Sequence, residues 1–202
     1  MQLVNEFNTL IIAGFWNNAI FTPEWFSKFI ESNKTLNVEF PVHISGSVRI
    51  STDELRFFAL DNKLIFTIIN PNDDVFRKIE TIALKVADYL PHTPVSAFGL
   101  NYTFESNLTD GELGKIFEFQ ENEIMAINGY KLVNTNINIS FLKDNHTLNL
   151  KVINQGDKVR FELNFHFEIN SLVKFKELFT TDIMLEYKDQ AIKLLTNLYK
   201  LD

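Results

Sequence analysis

Eleven residues from Val159 to Ile169 alternate without a break. Val159, Phe161, Leu163, Phe165, Phe167 and Ile169 are apolar, and Arg160, Glu162, Asn164, His166 and Glu168 between them are polar. Successive side chains of a strand point to opposite faces, so such a run reads as a strand with one dry side and one wet side. The same period recurs along the chain. Val38, Phe40, Val42, Ile44, Val48 and Ile50 oppose Glu39, His43, Ser45, Ser47, Arg49 and Ser51, with Gly46 marking a bulge or a break into two strands. Phe98, Leu100, Tyr102 and Phe104 oppose Gly99, Asn101, Thr103 and Glu105, and Val133, Ile137, Ile139 and Phe141 oppose Asn134, Asn136, Asn138 and Ser140. Repeated alternation predicts antiparallel sheet, packed on one face and solvated on the other.

Helical spacing appears where the alternation stops. Asn70-Pro71-Asn72-Asp73 opens a helix whose stripe is Val75, Phe76, Ile79, Ile82, Ala83, Val86 and Leu90, with Arg77, Lys78, Glu80 and Lys85 on the wet side. The acids Asp73 and Asp74 suit the positive end of the helix dipole, and Pro91 ends the helix. Thr22-Pro23-Glu24 starts a shorter helix reaching about Glu31. A further helix is expected to begin near Thr109 or Asp110, and the chain closes in a helix from about Asp182 to Lys200. Leu55–Leu60 and Leu64–Ile69 flank a hairpin turn, and the second of them, apolar throughout, reads as a central strand.

These elements predict an α+β fold: a mostly antiparallel curved sheet built from two β-α-β-β-β-α halves, residues 1–92 and 93–202, with the helices packed on one face. The two halves are expected to form one compact unit, joined where the helix from Asp73 meets Pro91 and the strand through Phe98. The order of elements resembles the TATA-box-binding-protein-like architecture, in which two such halves form a curved sheet backed by helices. The segment LPHTPVSAFGLNYTFE is similar to the helix-to-strand passage of some uncharacterised, sporadically distributed bacterial proteins. In charge and meander the chain also resembles export chaperones of the SecB type. None of these resemblances carries a functional residue onto this chain.

Composition narrows the function classes. The chain has 202 residues, a net charge of −7 and no cysteine. The absence of cysteine removes disulfides and thiolate chemistry. Acid exceeds base in both parts, 8 Lys+Arg against 11 Asp+Glu in residues 1–100 and 11 against 15 in residues 101–202, so no basic region favours a phosphate backbone. Apolar runs are too short to span a bilayer, and the expected compartment is cytoplasmic.

No phosphate cradle, nucleophile elbow or zinc signature is present. No catalytic residue, cofactor or metal ligand is therefore assigned. His43 and His166 share the polar side of strands with Glu39, Glu162 and Glu168, a geometry open to a metal and equally to solvated strand-face residues. Glu105, Asp110, Glu112, Glu118, Glu121 and Glu123 face only Lys115, as a docking site for a basic partner or as a solvated connection. Asn134, Asn136, Asn138, Arg160, Asn164 and His166 would form a continuous hydrogen-bonding surface if their strands pair, because an amide both donates and accepts. The expected function is a non-enzymatic protein-binding or assembly module acting through an Asn-rich sheet face or edge, with another protein or a second copy (a homodimer) as partner. The alternatives are a metal-dependent hydrolase with a dispersed site and a chaperone-like acidic sheet protein.

Overall fold

The computed structural model describes residues 1–30, 35–40 and 47–201. Its strands are β1 (Gln2–Leu3), β2 (Asn8–Gly14), β3 (Asn37–Glu39), β4 (Arg49–Ser51), β5 (Leu55–Leu60), β6 (Lys63–Ile68), β7 (Val95–Asn107), β8 (Thr135–Lys143), β9 (His146–Asn154) and β10 (Lys158–Glu168). Its helices are α1 (Pro23–Ser27), α2 (Asp73–Tyr89), α3 (Leu113–Ile116), α4 (Gln120–Ile127), α5 (Leu172–Leu178) and α6 (Ile183–Tyr199). The expected α+β class and antiparallel pairing are what forms. All ten strands join one open, uncurled antiparallel sheet in the order β3-β4-β5-β6-β2-β7-β10-β9-β8, with β1 also pairing β7.

β2 and β7 lie at the middle of the sheet. They pair with each other, and β6 flanks β2 as β10 flanks β7. β6 is interior and almost wholly buried, in line with its unbroken apolar run. Residues 1–92 carry more strands than expected, because the stretch expected to alternate from Val38 to Ser51 supplies two short described strands, β3 and β4. Val38 and Ile50 are now partners in the β3–β4 pair. His43 and Gly46 lie outside the described residues.

Cross-strand partners share a face, so register decides where the core sits. Leu10 pairs Phe66 and Leu100, Leu100 pairs Phe165, and Phe165 pairs Leu148. This row and its neighbours form the dry face, and α1, α2, α5 and α6 all pack on it. Phe26 of α1 stacks on Phe57 at 4.6 Å, Phe76 of α2 lies 6.3 Å from Tyr102, and Tyr187 of α6 meets Phe165 at 4.8 Å. Phe98 stacks on its cross-strand partner Phe167 at 4.4 Å and meets Phe175 of α5 edge-on at 5.2 Å.

The helix starts follow local chemistry. Thr22, Asn72 and Ser171 accept the backbone N–H three residues on, from Trp25, Val75 and Lys174. α6 differs. Its N-cap, Asp182, sits at φ 64° and makes no side-chain cap bond. Glu80 supplies the cap instead: its carboxylate accepts the N–H groups of Asp182 at 2.8 Å and Met184 at 2.7 Å. Glu80 is only 2% exposed, which corrects its expected place on the wet side of α2. Burial, the largest cause, raises its pKa against the lowering effect of those two donors. Arg77 to Asp182 at 2.7 Å and Lys188 to Asp73 at 2.8 Å add two more ties between α2 and α6.

Three other expectations change. The single helix from Thr109 is two short ones beginning at Leu113 and Gln120, and α5 has no counterpart among the expected elements. Leu198, expected in the stripe of α6, is exposed.

His146 belongs to the dry face, packed among Phe165, Phe167 and Tyr187. Burial, with help from Lys143 and against Asp144, lowers its pKa from 6.5. A base whose pKa is depressed by folding binds its proton more readily in the unfolded chain. Its contribution is therefore fully present above about pH 6.5 and is lost as pH falls through that value toward the folded pKa. Between about pH 7.5 and about pH 5.5 the melting temperature should fall further for the wild type than for His146→Phe, which keeps an aromatic ring but cannot titrate. Parallel curves would show that His146 titrates alike in both states.

Candidate functional site

The wet face formed by β7, β8, β9 and β10 carries a row of mutually bonded polar side chains. β8, β9, β10 and β7 pair continuously, and register sets their side chains in transverse rows. One row runs Ser140, Asn149, Asn164, Asn101 and Thr9. Ser140 Oγ donates to Asn149 Oδ1 at 2.8 Å, and Asn149 Nδ2 donates to Asn164 Oδ1 at 3.1 Å. Asn164 Nδ2 donates to Asn101 Oδ1 at 2.8 Å, and Asn101 Nδ2 reaches the Thr9 carbonyl at 3.3 Å. The three amides lie on three successive strands, all oriented the same way. Gly99 makes room for them, because a Cβ there would stand 2.7 Å from Asn164 Nδ2.

The next rows carry matched charges. Lys151 pairs with Glu162 at 3.4 Å across β9 and β10. Glu105 of β7 takes Arg160 at 2.6 Å and Lys158 at 3.6 Å. The Arg160 hydrogen bond is the largest cause holding the Glu105 carboxyl below its usual range. Arg160 also lies 5.0 Å over the Phe7 ring. Glu105 therefore leaves the acidic group in which the sequence placed it. Asp110 is engaged too, accepting from Ser106 Oγ and the Asn107 N–H, and Glu112 pairs with Lys115. The rows line a shallow depression of about 570 Å³ whose walls include Phe7, Thr9, Asn101, Asn138, Asn149 and Asn164.

Of the residues expected on this face, Asn136, Asn138, Arg160, Asn164 and His166 share it by register. Asn164 sits at the centre of the row. Asn134 lies just before β8, outside its register with β9. His166 faces Gly99 and Thr147, with no carboxylate opposite it. Among the described residues, no group of three or more His, Asp or Glu is placed to hold a metal ion. Asn101 and Asn149 were missed, although both were legible as polar members of alternating strands. Which rows they join depends on pairing between β7 and β10 and between β9 and β10.

No protein-family model matches the chain, and no curated protein matches it. No helix among the described residues is long and apolar enough to cross a membrane.

Proposed function

We propose that this chain is a non-enzymatic binding or assembly module that engages another protein, or a second copy of itself, through the sheet of its second half. The amide row carries this reading. Each of Asn149 and Asn164 spends one N–H and one oxygen lone pair on its neighbours, which leaves a second donor and acceptor position on each side chain. Mutual bonding holds the side chains in place, so ordering them costs a partner little. The cations nearby, Lys151, Lys158 and Arg160, already face Glu162 or Glu105. That matched charge supports recognition of a neutral polar protein surface over a phosphate backbone. The mirrored strand order also supports reading residues 1–92 and 93–202 as two versions of one plan within a single unit.

Asn164→Leu tests the reading. It breaks the row at its middle and should lower stability by only about 1–2 kcal/mol, since part of the lost hydrogen bonding is replaced by water. Affinity capture from the native host, combined with light scattering, should yield a reproducible partner or a self-associated form with the wild type. Asn164→Leu should weaken that association by about tenfold, the equivalent of one lost hydrogen bond of about 1.4 kcal/mol. A wild-type chain that stays strictly monomeric and captures nothing reproducibly would overturn the proposal.

A further inference from the structure

The two edges of the sheet are unlike. β3 has three residues, whereas β8 has nine, and β8 keeps an unbroken register with β9 along its whole length. Exposed edges are commonly blunted by proline, bulges or several charges. β8 has no proline and no bulge, and its single charge, Lys143, is at the end. Most of its residues are exposed. Ile139 is 39% exposed and Phe141 47%, although both point to the dry face.

The backbone of β8 is also poised to pair. The two-residue turn Asp144-Asn145 joins Lys143 to His146. Such a turn closes on a hydrogen-bonded pair, and bonding then alternates along an antiparallel ladder. Thr135, Ile137, Ile139, Phe141 and Lys143 therefore bond β9, and Asn136, Asn138, Ser140 and Leu142 turn their N–H and C=O groups off the edge.

We propose that β8 pairs antiparallel with β8 of a second copy about a two-fold axis at Ile139, joining two sheets into one. This rests on the reading of the chain as an assembly module and names its partner. The strand read backwards complements itself. Ile139 meets Ile139, Asn138 meets Ser140, Ile137 meets Phe141, Asn136 meets Leu142, and Thr135 meets Lys143. This is the register that pairs all nine residues. It places the outward-pointing groups of Asn138 and Ser140, and of Asn136 and Leu142, in the hydrogen-bonded pairs, and Ile139 in a close non-hydrogen-bonded pair. On the dry face, Ile137, Ile139 and Phe141 of both copies merge into one apolar strip. On the wet face, Ser140 at the end of the amide row meets Asn138 of the other copy. Lys143, the only charge of the strand, faces a neutral threonine, so no like charges meet within the paired strands. The contact is isologous, the form a closed dimer requires.

The cysteine-free chain makes the test clean. In a non-hydrogen-bonded pair the Cβ atoms approach to about 4.5–5.5 Å, close enough for a disulfide after small adjustment. Light scattering of the wild type should give twice the 23.5 kDa chain mass. Ile139→Cys should form a covalent dimer under oxidation at least about tenfold faster than Thr81→Cys on the exposed side of α2. Asn138→Pro removes an outward N–H and leaves the β9 ladder intact, and should give a folded monomer by circular dichroism and light scattering. A wild-type monomer at about 100 μM, with Ile139→Cys no faster than Thr81→Cys, overturns self-pairing; capture by the wet face then decides the module reading separately. A dimer that survives Asn138→Pro and does not link at position 139 overturns this edge as the seam while leaving assembly standing.

Discussion

Phe98→Ala should remove about 3–5 kcal/mol of stability, the usual range for deleting a fully buried aromatic ring. Phe98 lies on the central strand β7, stacked on Phe167 with an angle of 4° between the rings. Phe175 and Phe179 meet it edge-on at 5.2 and 5.7 Å. The ring therefore joins the sheet to α5, and such aromatic pairs add roughly 0.5–1.5 kcal/mol beyond area burial. For a chain of this size the loss corresponds to a fall in melting temperature of roughly 6–20 °C. Urea unfolding should show a lower midpoint with an unchanged slope, the sign of a stability change without a new denatured state. A loss below about 1.5 kcal/mol would show that α5 is not seated on β7 as described.

Glu80→Ala should come second, at about 3 kcal/mol, because it strips the acceptor from one buried and one half-buried N–H group at once. Those donors, on Asp182 and Met184, open α6. Glu80→Gln should cost less, about 1–2 kcal/mol: it keeps one acceptor and removes a buried charge that had to be desolvated. The pH dependence has a definite sign. Folding raises the Glu80 pKa, so its contribution is fully present below the ordinary value of 4.5 and diminishes as pH rises through the folded pKa. Glu105 runs the other way. Its pKa is lowered by Arg160, so its contribution is present above 4.5 and is lost as pH falls through the folded value. Amide hydrogen exchange at Asp182 and Met184 should accelerate in Glu80→Ala, while the interior of β7 keeps its protection. Unchanged exchange at those two amides would mean that α6 is capped by other means.

Much of the architecture was written in local pattern. The eleven-residue alternation of β10, the Asn70-Pro71-Asn72-Asp73 helix start with its apolar stripe along α2, and the hairpin turn between Leu60 and Leu64 each concern residues within a few positions of one another. Local spacing is enough to reveal them. α5 escaped because Leu172, Val173, Phe175 and Leu178 follow directly on an alternating strand and blur the change of period. Glu80 escaped because helical position alone puts it at the margin of the stripe, and the groups that justify its burial lie about a hundred residues later.

The candidate site divides along the same line. That Asn136, Asn138, Asn164 and His166 lie on the polar side of strands follows from sequence alone, since period two assigns each residue a face. That Asn164 stands between Asn149 and Asn101, with Gly99 leaving room beside it, depends on the registers of β10 with β9 and of β10 with β7. A slip of two residues in either pairing would keep every face assignment and dissolve the row. Sequence by itself therefore determined an antiparallel α+β chain with an amide-rich wet face. Only the tertiary structure decided that the amides bond in one line, that Glu80 caps α6 from another helix, and that β8 is the long uncovered edge. The physical reason is that side-chain periodicity is a property of neighbours in the chain, whereas register, capping across helices and edge exposure are set by contacts between residues far apart in it.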